Sequence, residues 1–211
     1  SFYGNIKILY PMISSVTEII QANKLLQEAK ILLKEDQIPF NDNIEIGAMI
    51  ETPAAALCID NILKHVDFVS IGTNDLVQYT LAVDRINENV AHLYQPFHPS
   101  VIRSLKQIFV AANKVGKKVS ICGELGGDPM ATMLLLGLGK LEDLSMEPHS
   151  IPKVKKIIRL IRLDEARQMA DHVLNLKTVE EISRFIAEEM RTRFPDDFDR
   201  DLSFREKITP T

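Results

Sequence analysis

The chain has 211 residues, 45% of them hydrophobic and 26% charged, with a formal net charge of −4; this is enough for one substantial core of ordinary soluble composition. The acidic balance argues against general nucleic-acid binding, no apolar run approaches the roughly 20 residues of a membrane span, and Ser1-Phe2-Tyr3-Gly4-Asn5 lacks the shape of a signal peptide. Two cysteines in unlike settings, Cys58 and Cys122, argue against a disulfide framework and for a reducing, cytoplasmic location.

Ile6 to Tyr10 reads as a strand closed by Pro11. Ser15-Val16-Thr17-Glu18 has the form of a capping box, and Ala22, Leu25, Leu26, Ala29, Leu32 and Leu33 then recur at helical spacing. Ile44 to Ile50 is a second strand, ending at Glu51, with Thr52 as cap and Pro53 opening a small-faced helix through Ala54, Ala55 and Ala56. Cys58 falls in that helix among apolar residues and reads as core. Val66 to Ile71 is a third strand. It breaks at Gly72 into Thr73-Asn74-Asp75, residues suited to capping a helix that runs to about Val83.

After Asp84-Arg85 and a loop holding Pro96 and Pro99, a helix from Ser100 to Val115 leads into strand Lys118 to Ile121, which ends at Cys122-Gly123-Glu124. A short helix from Pro129 to Leu136 is expected to stop at Gly137 and Gly139, and Leu144 to Met146 reads as the last strand. Three helices follow: Ser150 to Ile161, Asp164 to Leu174, and one opened by the capping box Thr178 to Glu181 and closed near Pro195. The basic stripe Lys153, Lys155, Lys156, Arg159 and Arg162 reads as a solvated face. Residues 1–193 therefore read as one domain and 194–211 as a polar, loose tail.

Strands alternating with helices predict an α/β fold with a parallel sheet and right-handed crossovers. A closed barrel of this kind needs eight strands and about 250 residues. The five strands here fit the last five βα units of such a barrel, or an open sheet.

In a parallel sheet the strand ends carrying Glu51, Asn74-Asp75 and Cys122-Gly123-Glu124 share one face. Two carboxylates on neighbouring strands, with waters and an anionic substrate, make a Mg²⁺ site. Taken singly, Glu51 or Asp75 reads equally well as a cap or a solvated charge. Arg85 reads as a surface ion pair or as a fork for phosphate or carboxylate. Cys122 reads as a small core residue or as a thiol that moves a proton. None of the five histidines has metal-ligand spacing, and no Ser-His-Asp triad or Walker-type glycine loop is present.

The blocks Met49-Ile50-Glu51-Thr52-Pro53-Ala54-Ala55, Ser70 to Tyr79 running on into Ala82-Val83-Asp84-Arg85, His92-Leu93-Tyr94-Gln95-Pro96 and Cys122-Gly123-Glu124-Leu125 resemble the C-terminal phosphoenolpyruvate-binding domain of Enzyme I. That enzyme is the phosphoenolpyruvate–protein phosphotransferase of bacterial sugar or nitrogen phosphotransferase systems. The resemblance spans nearly all of residues 5–190. It implies a (β/α)8 TIM-barrel domain and Mg²⁺-dependent phosphoryl transfer from phosphoenolpyruvate to a protein histidine, releasing pyruvate. On it, Glu51 and Asp75 are the Mg²⁺ ligands, Asn74 bonds the phosphate, Asp75 and Arg85 contact the substrate, and Cys122 protonates the enolate.

The family's first three strands, with further phosphate-gripping arginines, and its Gly-rich phospho-accepting histidine segment have no counterpart here. The resemblance therefore implies a truncated catalytic part, inactive alone, that meets a histidine-containing phosphocarrier protein through the missing part. A homodimer is expected, covering the open edges of Ile6–Tyr10 and Leu144–Met146. Two other readings stand beside it: a phosphoenolpyruvate- or pyruvate-sensing dimerisation module, which uses the same residues but does not need Cys122, and a Mg²⁺-dependent lyase of pyruvate-derived acids, which also uses acidic residues at successive strand ends but against which the Asp84-Arg85 and Cys122-Gly123-Glu124 blocks count.

Overall fold

The computed structural model describes residues 5–198; the remainder of the tail, 199–211, expected to be loose, lies outside the described residues. Strands β1 (Ile8–Tyr10), β2 (Ile46–Ile50), β3 (Phe68–Gly72), β4 (Lys118–Cys122) and β5 (Asp143–Leu144) form one sheet, parallel throughout, whose spatial order is the chain order. Such an order belongs to a barrel wall; a doubly wound sheet reverses direction part-way across. The chain is thus α/β, with a five-stranded parallel sheet of partial-barrel type. β1 and β5 form its two edges.

The sheet has two unlike faces because side chains alternate along a strand. In register across β2, β3 and β4 stand Ala48, Val69 and Val119, then Ile50, Ile71 and Ile121, all essentially inaccessible. This face packs against the helices and carries the core. The alternate positions, Gly47, Met49, Phe68, Ser70, Ser120 and Cys122, form the other face, which is more polar and only partly covered. In a barrel that is the inner face.

Helix α1 (Val16–Glu35) follows β1; its Glu18 carboxylate accepts the Ser14 and Ser15 N–H groups at 2.7 and 3.0 Å, as the capping box predicts. The single helix expected after Thr52 is two, α2 (Pro53–Leu57) and α3 (Ile59–Ile62), broken at Cys58. Ala55, Ala56, Ile59 and Ile62 are buried, and the break turns Cys58 outward, so it is exposed rather than core. Helix α4 (Thr73–Leu81) starts directly from β3. Helix α5 (Pro99–Lys114) is capped by the His98 ring, whose Nδ1 accepts the Ser100 N–H at 3.2 Å, and it buries Val101, Ile102, Leu105, Ile108, Phe109 and Ala112 along one stripe.

A one-turn helix, α6 (Glu124–Gly127), and α7 (Pro129–Leu138) follow β4. Gly137 does not stop α7 as expected. It lies in its last turn, where the Ala166 backbone of α9 (Leu163–Asn175) packs so closely that no side chain fits; Gly139 alone is the cap. α7 is apolar and buried on nearly every side, enclosed by α8 (Ile151–Leu160), α9 and α10 (Val179–Arg193). β5 pairs at Asp143 and Leu144, one residue earlier than expected, and a Ser145 N–H to Ile121 carbonyl bond of 2.8 Å extends it.

Beyond α10 the chain packs before it leaves the described region. Phe194 is buried, and one turn, α11 (Pro195–Phe198), lies over α8. There the Lys153 ammonium sits 4.7 Å from the centre of the Phe198 ring and Lys156 pairs with Asp197 at 2.6 Å. Part of the stripe expected to be solvated is therefore covered.

Two consequences are measurable. Gly137→Ala inserts a methyl group into the α7–α9 contact and is expected to cost about 1–3 kcal/mol, read as a lower denaturation midpoint at unchanged m-value. At α10, the Glu181 carboxylate accepts the Lys177 and Thr178 N–H groups at 2.9 and 3.2 Å, which hold its pKa below the ordinary value. A depressed folded pKa means that the stabilisation is complete above the unfolded value and is lost as pH falls through the folded one. In NMR the Lys177 and Thr178 amides should titrate with a midpoint below that of an ordinary glutamate, and Glu181→Gln should abolish that titration.

Candidate active site

Glu51 follows directly on β2 and is only 4% exposed. Its Oε1 accepts the Met12 N–H at 2.6 Å. Met12 presents that group from the left-handed region, at φ 53°, which non-glycine residues rarely adopt. The loop that carries Met12 is pinned in turn by Thr52, whose hydroxyl donates to the Ile13 carbonyl at 2.8 Å while capping α2 through the Ala55 N–H at 3.1 Å. Glu51 reaches across the neighbouring strand because Gly72 leaves room: a Cβ there would stand 2.5 Å from Glu51 Oε2.

Asp75 lies in the first turn of α4, whose N-cap is Gly72 rather than Thr73, Asn74 or Asp75. Those three residues lie inside the helix, where Asp75 adds charge at its positive end. Asp75 faces Glu51. Burial chiefly raises the Glu51 pKa, the Asp75 charge raises it further, and the Met12 N–H opposes both. Among the described residues neither carboxylate has a Lys, Arg or His ion-pair partner. No three His, Cys, Asp or Glu side chains there form a metal-binding group, so the acidic centre is the pair alone. A pair of carboxylates is a donor set that suits Mg²⁺, which takes one or two carboxylates and completes its shell with water and phosphate oxygens.

Asn74 is fixed by its acceptor end. Its Oδ1 takes the Glu124 N–H at 2.9 Å, which leaves the amide NH₂ to a ligand. This contact needs Gly123, at φ 90°, where a Cβ would fall 2.6 Å from Thr73 Oγ1 and 2.7 Å from Asn74 Oδ1. The Thr73 hydroxyl donates to the Cys122 carbonyl at 2.8 Å, so the starts of α4 and α6 are tied at two points.

Arg85 lies just beyond α4. Ala82 turns the chain at φ 53°, and Gln78 receives the Arg85 N–H at 3.4 Å. Its guanidinium extends to Glu124, Nη1 to Oε1 3.6 Å. Cys122 closes β4 opposite Gly72, half-buried on the inner face, with its sulfur 3.6 Å from Ser70 Oγ and 3.5 Å from the Ile71 carbonyl.

The strand ends thus bring Glu51, Asn74, Asp75, Arg85 and Cys122 to one mouth of the sheet. An open cavity of about 510 Å³ adjoins it on the side of α6, lined by Asn74, Gly123, Glu124, Asp128, Ser145 and His149 among others, while Glu51, Asp75, Arg85 and Cys122 lie outside its lining. Sequence reasoning missed two contributors. Met12 acts through its backbone, and only a left-handed φ makes it useful; no sequence signal marks that. Tyr94 belongs to one of the four motif blocks but receives no role there. In the structure its hydroxyl donates to the Asn74 carbonyl at 3.4 Å, and its ring is close enough to Glu124, Arg85 and Asp75 to feel all three charges.

The family profile described as PEP-utilising enzyme, PEP-binding domain, matches residues 1–163. The chain is 46% identical over 188 residues to the phosphoenolpyruvate-protein phosphotransferase of Haemophilus influenzae, covering 89% of this chain and 32% of that protein. It is 47% identical over 186 residues to that of Listeria monocytogenes, covering 88% and 32%. It is 49% identical over 182 residues to that of Buchnera aphidicola subsp. Schizaphis graminum, covering 86% and 32%. The chain therefore spans about a third of the length of these relatives.

Among solved structures, a citrate lyase from Burkholderia xenovorans LB400 aligns with a TM-score of 0.52 at 17% identity, covering 88% of this chain and 63% of that one. The citrate lyase beta subunit of Mycobacterium tuberculosis, complexed with oxaloacetate and magnesium, aligns at 0.50 and 16%, covering 72% and 61%. At those identities the likeness is one of fold. The profile match, the identity to the phosphotransferases and the convergence of the four motif blocks on one mouth of the sheet have a common cause: the chain belongs to the PEP-utilising enzymes, as their PEP-binding domain.

Proposed function

We propose that this chain is the phosphoenolpyruvate-binding, catalytic part of a phosphoenolpyruvate–protein phosphotransferase whose barrel is completed by strands outside it. One observation carries the reading: Glu51 and Asp75, a carboxylate pair with no Lys, Arg or His partner among the described residues, lie at the same end of the parallel sheet as Arg85, Asn74 and Cys122.

Glu51 and Asp75 would hold Mg²⁺, and the bound ion would supply charge neutralisation for the phosphoryl oxygens and the departing enolate. Asn74 donates its NH₂ to a phosphoryl oxygen, since its oxygen is already engaged by Glu124. Arg85 forms the other side of the anion seat. As the phosphoryl group passes to a histidine of the protein, the enolate left behind takes the Cys122 thiol proton at its methylene carbon. Pyruvate leaves, and the thiolate is reprotonated before the next cycle. The accepting histidine passes the group on to a histidine-containing phosphocarrier protein. The citrate lyases share the fold but add nothing specific to a lyase reading.

Two experiments test this on the full-length protein. Glu51→Gln keeps the shape and removes the charge. It is expected to weaken Mg²⁺-supported phosphoenolpyruvate binding, measured calorimetrically, by more than the roughly 10–100-fold that loss of an outer-shell metal partner costs. Binding that stays Mg²⁺-dependent and unchanged would refute the metal assignment. Cys122→Ser is expected to leave that binding intact and to lower pyruvate release by about 10²–10⁴-fold, the range of a general acid. Equal loss of binding and turnover would instead make Cys122 a packing residue.

A further inference from the structure

We propose that Glu124 is the resident counter-ion of Arg85, a positioning residue that occupies the anion seat until the substrate displaces it. The proposal rests on reading Arg85 as that seat. Three observations carry it. The Arg85 guanidinium points at Glu124, Nη1 to Oε1 3.6 Å, and makes no hydrogen bond to the protein among the described residues. It is therefore held by one loose charge contact, whereas a carboxylate or phosphoryl ligand offers a paired, bidentate one. The Glu124 main chain is fixed, its N–H bonded to Asn74 Oδ1 at 2.9 Å behind Gly123, while its side chain is 77% exposed and free to swing. The same peptide thus both aims the Asn74 amide and supplies the carboxylate that covers Arg85. Tyr94 shows that these groups share one space. Burial chiefly raises its pKa, the Glu124 charge raises it further and the Arg85 charge lowers it.

A weak placeholder has a specific use. It holds Arg85 extended across the mouth, beside Asn74, without competing strongly for it. An anion that makes a single contact gains little over Glu124, and one that presents two oxygens in a plane displaces it. Glu124 is thus a selectivity device for doubly anchored acids, and its side chain must leave the seat in every cycle.

The test is calorimetric titration of phosphoglycolate, a phosphorylated acid that cannot form the enolate, with Mg²⁺ in the full-length protein. Glu124→Gln removes the competing charge, and its exposed position makes it compatible with folding. It is expected to tighten binding by about two- to five-fold, the equivalent of one exposed ion pair. In an Arg85→Ala background the same substitution is expected to do nothing, which a purely structural role of Glu124 would not produce. Unchanged or weaker binding in Glu124→Gln, alongside weakened binding in Arg85→Ala, would overturn the proposal and leave the anion seat standing. Binding indifferent to Arg85→Ala would overturn the seat itself.

Discussion

The site depends on one unfavourable contact, the Glu51–Asp75 carboxylate pair at the mouth of the sheet. Burial, and then the nearby Asp75 charge, raise the cost of ionising Glu51. Among the described residues this is offset by local groups, a backbone N–H from Met12 on Glu51 and the N-terminal end of α4 at Asp75. Met12 adopts a strained conformation to provide that N–H. Strain, burial and uncompensated charge at one point are tolerable because the far larger outer face of the sheet supplies the stability. Its Ala, Val and Ile rows on β2, β3 and β4 are sealed beneath α2 to α5 and α7.

Stability and chemistry are therefore segregated by the period of the strand. Alternate residues of β3 and β4 point to different worlds: Val69, Ile71, Val119 and Ile121 to the helices, Ser70, Ser120 and Cys122 to the inner face. A one-residue slip in register would exchange them, turning the serines and cysteine towards the helices and the branched apolar side chains onto the inner face. The β3–β4 register is fixed across five pairs, the longest run in the sheet. The site is thus built where the sheet is least able to shift, while the edge strands β1 and β5 are its shortest elements.

Much of this was legible in the sequence. Buried parallel strands are short apolar runs, and those leading to Glu51, Gly72 and Cys122 end close to where the apolar run ends. The two capping boxes sit where their Ser/Thr and Glu spacing puts them, because cap chemistry is local. What was not legible depends on the partner. Gly137 looks like a helix stop until the backbone of α9 is seen to need its missing side chain. Cys58 sits among apolar neighbours, and only the break between α2 and α3 turns it outward. The basic stripe on α8 reads as solvated, and it is so at Lys155, Lys156 and Arg159, but the Phe198 ring of α11 partly covers Lys153. Met12 carries no signal at all, since what it contributes is a backbone N–H aimed by a left-handed φ.

The orientation of one amide then decides what kind of ligand the mouth can read. Asn74 has a donor end and an acceptor end, and a free asparagine would serve either sort of partner. Here the acceptor is consumed by the Glu124 N–H, a contact permitted only because position 123 has no side chain to strike Asn74 and Thr73. The donor end is left facing a space already bordered by the Arg85 guanidinium. Asn74 and Arg85 are the donors offered there, and the carboxylates of Glu51, Asp75 and Glu124 stand around them. An oxygen-rich anion satisfies such a set together with the carboxylates' demand for a hard cation, because its oxygens can accept from Asn74 and Arg85 while also completing the ion's shell. A neutral or cationic ligand would leave the half-buried Asn74 and Arg85 donors without acceptors. On the function proposed above, a preference for a phosphorylated acid would be set by how backbone geometry at Met12 and Gly123 aims ordinary polar groups.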